Sequence, residues 1–191
     1  MQHVNTKIFA REPAPTDLGD AIPIFHRWIQ ESVCEELLID VADYRHVPAG
    51  PGVVLVGHEA NYSLDLAENR LGLLYNRKAV LDGTDQDRLL QAFYAALVAS
   101  KRLEEEEAFR EKLHFDAGRA EVILNDRLLS PNTEATWDET RPEFERFFDA
   151  LYGKGAYTLE RIGEPRQRFR VRATARTPLD VRSLIEAVQH A

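Results

Sequence analysis

The chain has a single cysteine, Cys34, among 191 residues. No intrachain disulfide can form, which suits a reducing compartment. No apolar run approaches the ~20 residues that a membrane span needs. The first residues, MQHVNTKIFARE, lack the basic-then-apolar pattern of a signal peptide. Positive charge is not in excess either. The net charge is −8, which disfavours broad binding to nucleic acid or an anionic membrane. No GxxxxGK(S/T) phosphate loop is present. His58-Glu59 does not extend to an HExxH metalloprotease helix, because position 62 is Tyr62. Low-complexity tracts and convincing sequence repeats are missing as well. Together these absences predict a cytoplasmic, acidic protein with no membrane association.

What is present is ordinary for a globular protein: 44% of residues are hydrophobic and 29% charged. A chain of this length buries roughly 70% of its unfolded surface, so it needs no disulfide or metal staple. It fits one compact domain over 1–191, or two intimately packed halves, 1–83 and 84–191, divided ahead of a long helix.

Local patterns predict the elements. Val4–Ala10 reads as a strand, ended by Pro13 and Pro15. A helix from near Asp20 carries Ile24, Phe25, Trp28 and Ile29 on one face. Leu37–Tyr44 and Val53–His58 read as an antiparallel hairpin around Pro48–Gly52. Tyr62–Leu66 and Leu71–Asn76 follow as strands. Thr84 and Asp87 form a variant capping box for the long helix. Leu113–Asp116 and Glu121–Asn125 are expected to form a hairpin turning at Gly118. Thr140 and Glu143 are expected to cap a third helix that stops at Gly153. Tyr157–Ile162 and Phe169–Thr174 make another hairpin, and Thr177, Pro178 and Asp180 lead into a last helix. The expected class is α+β: antiparallel or mixed sheet, in strand pairs separated by helices, with the helices packed on one face.

Candidate chemistry concentrates in Leu37–Asp65. Asp40, Asp43, His46, His58, Glu59 and Asp65 fall within its 29 residues. Carboxylates with neutral histidine suit a divalent metal or general acid–base work. In a hairpin, however, they split into two sets about 15 Å apart, at ~3.3 Å per residue. One set is Asp40, His58 and Glu59, the catalytic candidates. The other holds Asp43 and His46, candidate binding residues or simple turn-forming groups. Asp40 interrupts an apolar strand, which predicts a buried carboxylate with dedicated partners. Cys34 is flanked by Glu31, Glu35 and Glu36, which raise a thiol pKa rather than lower it, so an inert packed thiol is expected. His114 and Asp116 are expected to share one face of their strand, with Asn125 on the hairpin partner, either as a pair that orients a base or as a surface cross-strand pair. Arg166, Arg168, Arg170 and Arg172 alternate with apolar residues. Arg168, Arg170 and Arg172 are the binding candidates of this stripe, either for an anion or, more simply, as partners of carboxylates such as Glu160. Trp137, preceding the expected cap, is a candidate pocket or interface rim.

Two function classes follow. The first is a non-catalytic binding or assembly module that takes a small-molecule or protein partner. The alternative is a small enzyme, such as a metal-dependent hydrolase, using Asp40 and His58. The sequence does not decide whether the chain is an enzyme, and it specifies no metal, cofactor or oligomeric state. The lack of any catalytic triad, phosphate loop or metal spacing favours the first class.

Overall fold

The computed structural model describes every residue except Thr16, Glu35, His190 and Ala191, together with the side chain of Gln189. The elements run β1 (Val4–Ala10), α1 (Ala21–Glu31), β2 (Leu38–Tyr44), β3 (Gly52–Gly57), β4 (Ala60–Asp65), β5 (Gly72–Arg77), α2 (Asp85–Glu105), β6 (Phe115–Leu124), α3 (Glu134–Tyr152), β7 (Tyr157–Ile162), β8 (Phe169–Ala175) and α4 (Val181–Gln189). The eight strands make one sheet in the order β2-β3-β4-β5-β1-β6-β8-β7. Every pairing is antiparallel. With four helices on that sheet, the α+β class holds.

The two faces of the sheet differ because side chains alternate along each strand. One face carries Ile8, Leu55, Leu64, Leu73, Tyr75, Val122 and Val171. All are buried in a single core with residues from every helix. The opposite face carries Asn5, Lys7 and Phe9 on β1, Glu121 on β6, and Arg170 and Arg172 on β8. None of these belongs to that core.

α2 is the central helix, packed on β1, β5 and β6 and against α3 and α4. Its start follows from local chemistry. Thr84 Oγ1 accepts the Asp87 amide at 3.2 Å, and the Asp87 carboxylate accepts the Thr84 amide at 2.7 Å. This is the expected capping box, and it satisfies two otherwise orphaned donors. Phe93 anchors the middle of α2, 5.4 Å from Phe147 and 5.8 Å from Phe148 of α3, ring centroid to ring centroid.

Two expectations are corrected. No hairpin turns at Gly118: Phe115–Leu124 is one ten-residue strand running through it. The glycine serves close packing instead. A Cβ there would lie 3.1 Å from the Ala175 Cβ and from the Thr177 carbonyl oxygen. His114 therefore precedes β6, Asn125 follows it, and no hairpin joins them. The third helix does not start at Thr140. It starts at Glu134, capped by Thr133, whose Oγ1 accepts the Thr136 amide at 3.3 Å. Thr140 and Pro142 are interior, and the Thr140 hydroxyl donates back to Thr136 O at 2.7 Å. The buried aromatic face of Phe144, Phe147, Phe148 and Tyr152 keeps the helix continuous despite the amide hydrogen that Pro142 lacks. Trp137 is thus a helical residue, half-buried under the Arg141 guanidinium.

Candidate functional site

The site is built where α1 ends. Ser32 adopts a left-handed conformation, φ 50° and ψ 49°, and its amide closes on Ile29 O at 3.2 Å. That cap turns the chain sharply, and Cys34 and Glu36 come down onto β4. The Glu36 carboxylate accepts the Ala60 amide and the Tyr62 hydroxyl, each at 2.8 Å. Gly57 permits this approach, since a Cβ there would stand 2.8 Å from Glu36 Oε2.

Tyr62 and Arg77 supply the floor, from β4 and β5. Arg77 pairs with Glu59 at 3.0 Å and donates to Ala79 O at 3.1 Å. Gln91 of α2 donates to the Tyr75 hydroxyl at 2.9 Å. Along α2, Ala95, Val98 and Ala99 give a wall of small apolar side chains, and Val33 faces them from the α1 side. The space enclosed is a cleft of about 500 Å³, with Tyr94 and Arg102 at its edge. A second cleft of about 530 Å³, between α2 and α4, shares Tyr94, Val98 and Arg102. Among the described residues, no carboxylate stands within ion-pair reach of Arg102.

Burial pushes the Tyr62 hydroxyl far above its ordinary range, and the adjacent Cys34 and Glu36 add to the shift. Burial likewise raises Tyr75. It raises Cys34 too, against a hydrogen bond with Tyr62 that favours the thiolate. At neutral pH these groups are protonated. They act as hydrogen-bonding and packing surface, not as nucleophiles or bases. Glu35, the other acidic neighbour of Cys34, lies outside the described residues.

The residues singled out by sequence do not assemble. Asp40 is not buried, and that expectation is corrected. It is exposed on the edge strand β2, on the face away from Val41 and the core, and among the described residues its carboxylate accepts only the adjacent Val41 amide, at 2.8 Å. Asp40 stands in register with Val56, Asn61, Asn76 and Asn5, on the sheet face opposite the helices, so its apolar sequence neighbours do not bury it. His58 is exposed, and its amide donates to Leu37 O at 2.7 Å. Only Glu59 of the three reaches the cleft. Among the described residues, no three His, Cys, Asp or Glu side chains gather as a metal site requires. Asp43 serves the turn, accepting the Arg45 amide at 3.0 Å, and its carboxyl is held down near pKa 2, chiefly by the Arg45 guanidinium. His46 is exposed beside the Tyr44 ring. Asp65 is buried in an ion pair with Lys7 at 2.5 Å.

Of the arginine stripe, Arg170 and Arg172 share one sheet face on β8, Arg168 enters the sheet only through an isolated bridge with Pro131, and Arg166 lies in the turn between β7 and β8. The partners of Arg170 and Arg172 are not Glu160 but Glu121 and Glu68. Arg170 pairs with Glu121 at 3.1 Å and Glu68 at 2.6 Å, and Arg172 pairs with the same two at 3.2 and 3.4 Å. Arg168 is half-buried and, among the described residues, has no carboxylate within ion-pair reach. Sequence reasoning missed Glu36, Tyr62, Arg77, Gln91 and Arg102, because four separate segments bring them together. The only local signal is the small-residue face Ala95–Val98–Ala99, which leaves room beside α2.

No family model matches the chain. No curated protein and no solved structure gives a significant match either.

Proposed function

We propose that the protein is a non-catalytic binding module whose α1–α2 cleft takes a compact ligand with an apolar body and one carboxylate. The observation behind this reading is that the ionisable groups inside the cleft are buried or already engaged by one another. Tyr62, Tyr75 and Cys34 are all shifted towards their neutral forms, and Glu36 and Glu59 are already engaged by Tyr62 and Arg77. Such a surface supplies shape and fixed hydrogen bonds, as ligand pockets do, without a poised base. The cleft volume lies within the roughly 300–1,000 Å³ typical of such pockets. The small apolar side chains of α2 suit an alkyl or aromatic body. Arg102, at the mouth with no described carboxylate partner, suits the acid group. A rim charge of this kind orients a ligand more than it holds it. The alternative hydrolase reading gains nothing from the described geometry, in which Asp40 and His58 are both exposed.

Calorimetric titration with octanoate tests the proposal. The wild-type chain is expected to bind one octanoate. Ala95→Trp, which fills the cleft, is expected to lose binding with its far-ultraviolet circular dichroism intact. Arg102→Ala is expected to weaken binding by about three- to tenfold. Equal binding by wild type and a folded Ala95→Trp variant, or no binding by wild type, overturns the proposal.

A further inference from the structure

On the sheet face opposite the helices, one contact spans an unusual distance across the fold. Glu68 lies in the loop between β4 and β5, yet its carboxylate crosses β1 and β6 to meet Arg170 and Arg172 on β8. The loop is firmly tied down at both ends. Lys7 Nζ donates to Asp65 Oδ1 at 2.5 Å and to Arg70 O at 2.8 Å, and the Ala67 amide donates to Asp65 Oδ1 at 3.1 Å. Between these anchors the backbone is strained. Glu68 has φ 60° and ψ 24°, and Asn69 follows at φ 54°. Asparagine tolerates that left-handed region, whereas glutamate rarely enters it. The Glu68 side chain is still 47% exposed, while Arg170 and Arg172 are 14% and 25% exposed.

The arginine pair has more donors than Glu121 and Glu68 use. Among the described residues, Arg170 Nε and Arg172 Nε are buried with no acceptor, and so is Asn5 Nδ2 on the same face. Beside the pair, the Arg70 guanidinium stacks 4.0 Å from the Phe9 ring. Among the described residues, neither Arg70 nor Arg168 has a carboxylate within ion-pair reach. With the Glu68 carboxylate displaced, Lys7, Arg70, Arg168, Arg170 and Arg172 would outnumber the carboxylates described on that face, Asp65, Glu121 and Glu160, the last opposite Arg172 in register. That is a local positive field on a chain of net charge −8.

We propose that Arg170 and Arg172 form a binding site for the phosphoryl group of a small phosphorylated ligand, with the Glu68 carboxylate as the intramolecular stand-in that the ligand displaces. Arginine forks match phosphate oxygens in geometry and charge. A phosphoryl group brings more charge than one carboxylate, about −1.5 to −2, and three acceptor oxygens. It can therefore compete with a tethered glutamate whose effective concentration is high. Release of Glu68 also lets its backbone leave the strained conformation. The site is separate from the α1–α2 cleft and does not depend on the reading given for it.

Calorimetric titrations of the full chain with inorganic pyrophosphate and with O-phosphoserine test this, the two probes distinguishing a diphosphate from a monoester. Glu68→Gln is expected to tighten binding of at least one probe about tenfold or more, because the competing anion is gone. In the Glu68→Gln background, Arg172→Lys is expected to reverse the gain while preserving the charge, and Arg170→Gln to remove it. Melting temperatures verify that each variant is folded. Equal affinity of wild type and Glu68→Gln overturns the proposal, as does absence of binding by both. A gain that survives Arg172→Lys and Arg170→Gln overturns it too.

Discussion

At the scale of single residues, an ionisable side chain takes its role from its face of the sheet rather than from its sequence neighbours. Asp40 interrupts an apolar strand, and Asp65 ends β4. Asp40 lies on an edge strand and is solvated, whereas Asp65 is buried against Lys7, with side chains 8% and 4% exposed. Asp40→Ala should change unfolding free energy by less than about 0.5 kcal/mol, as at ordinary surface sites. Lys7→Ala should cost about 3–5 kcal/mol, because it leaves the Asp65 carboxylate buried and uncompensated. Urea unfolding of both variants measures the contrast, and similar losses would contradict this account of the two aspartates. Glu68 gives a pH signature. The Arg170 guanidinium holds its carboxyl below the ordinary value, with Arg172 and Lys7 contributing. A depressed folded-state pKa means the contribution is present above the ordinary carboxylate range and is lost as pH falls through the folded value. The melting-temperature difference between wild type and Glu68→Gln should thus shrink from about pH 6 to about pH 3. A constant difference would show that Glu68 acts through packing instead.

At the scale of elements, what the sequence made legible were features with a local cause. The Thr84–Asp87 capping box, the Gly153 stop and the β2–β3 hairpin all appear where turn and cap chemistry places them. The misread elements differ in cause. Gly118 resembles a turn residue, but its lack of a side chain admits Ala175 and Thr177 from across the sheet. Thr140 and Glu143 have capping spacing, but Thr133 caps the helix about two turns earlier, with Thr136 buried between them. The cleft was illegible because its causes are non-local, as at Gly118. Glu36 and Tyr62 come together only because Ser32 turns the chain and Gly57 admits the carboxylate. At the start of α2, Thr84→Ala should cost about 1 kcal/mol, read as a shifted urea midpoint with unchanged slope. No shift would mean that packing alone fixes where α2 starts.

At the scale of the whole molecule, the topology has a repeat that the sequence does not display. β1–α1–β2–β3–β4–β5–α2 is followed by β6–α3–β7–β8–α4, and in each half the first strand pairs with the last, β1 with β5 and β6 with β8. The halves join through the antiparallel β1–β6 pair under one shared core. A shared core predicts a single cooperative transition. Trp28 reports the first half and Trp137 the second. In Trp137→Phe and Trp28→Phe variants, fluorescence should give urea midpoints that coincide with circular dichroism, whereas separated midpoints would show two independently unfolding halves. The central claim concerns the cleft between α1 and α2, and Cys34 in its wall is a natural probe of it. Burial raises the thiol pKa, so alkylation by iodoacetamide near neutral pH should be slower than for free cysteine and should accelerate with rising pH. The decisive measurement is that alkylation rate, followed by mass spectrometry, with and without saturating octanoate. The account predicts that octanoate slows modification of Cys34 in the wild-type chain and has no effect in Ala95→Trp. An unchanged rate in the wild-type chain would contradict it.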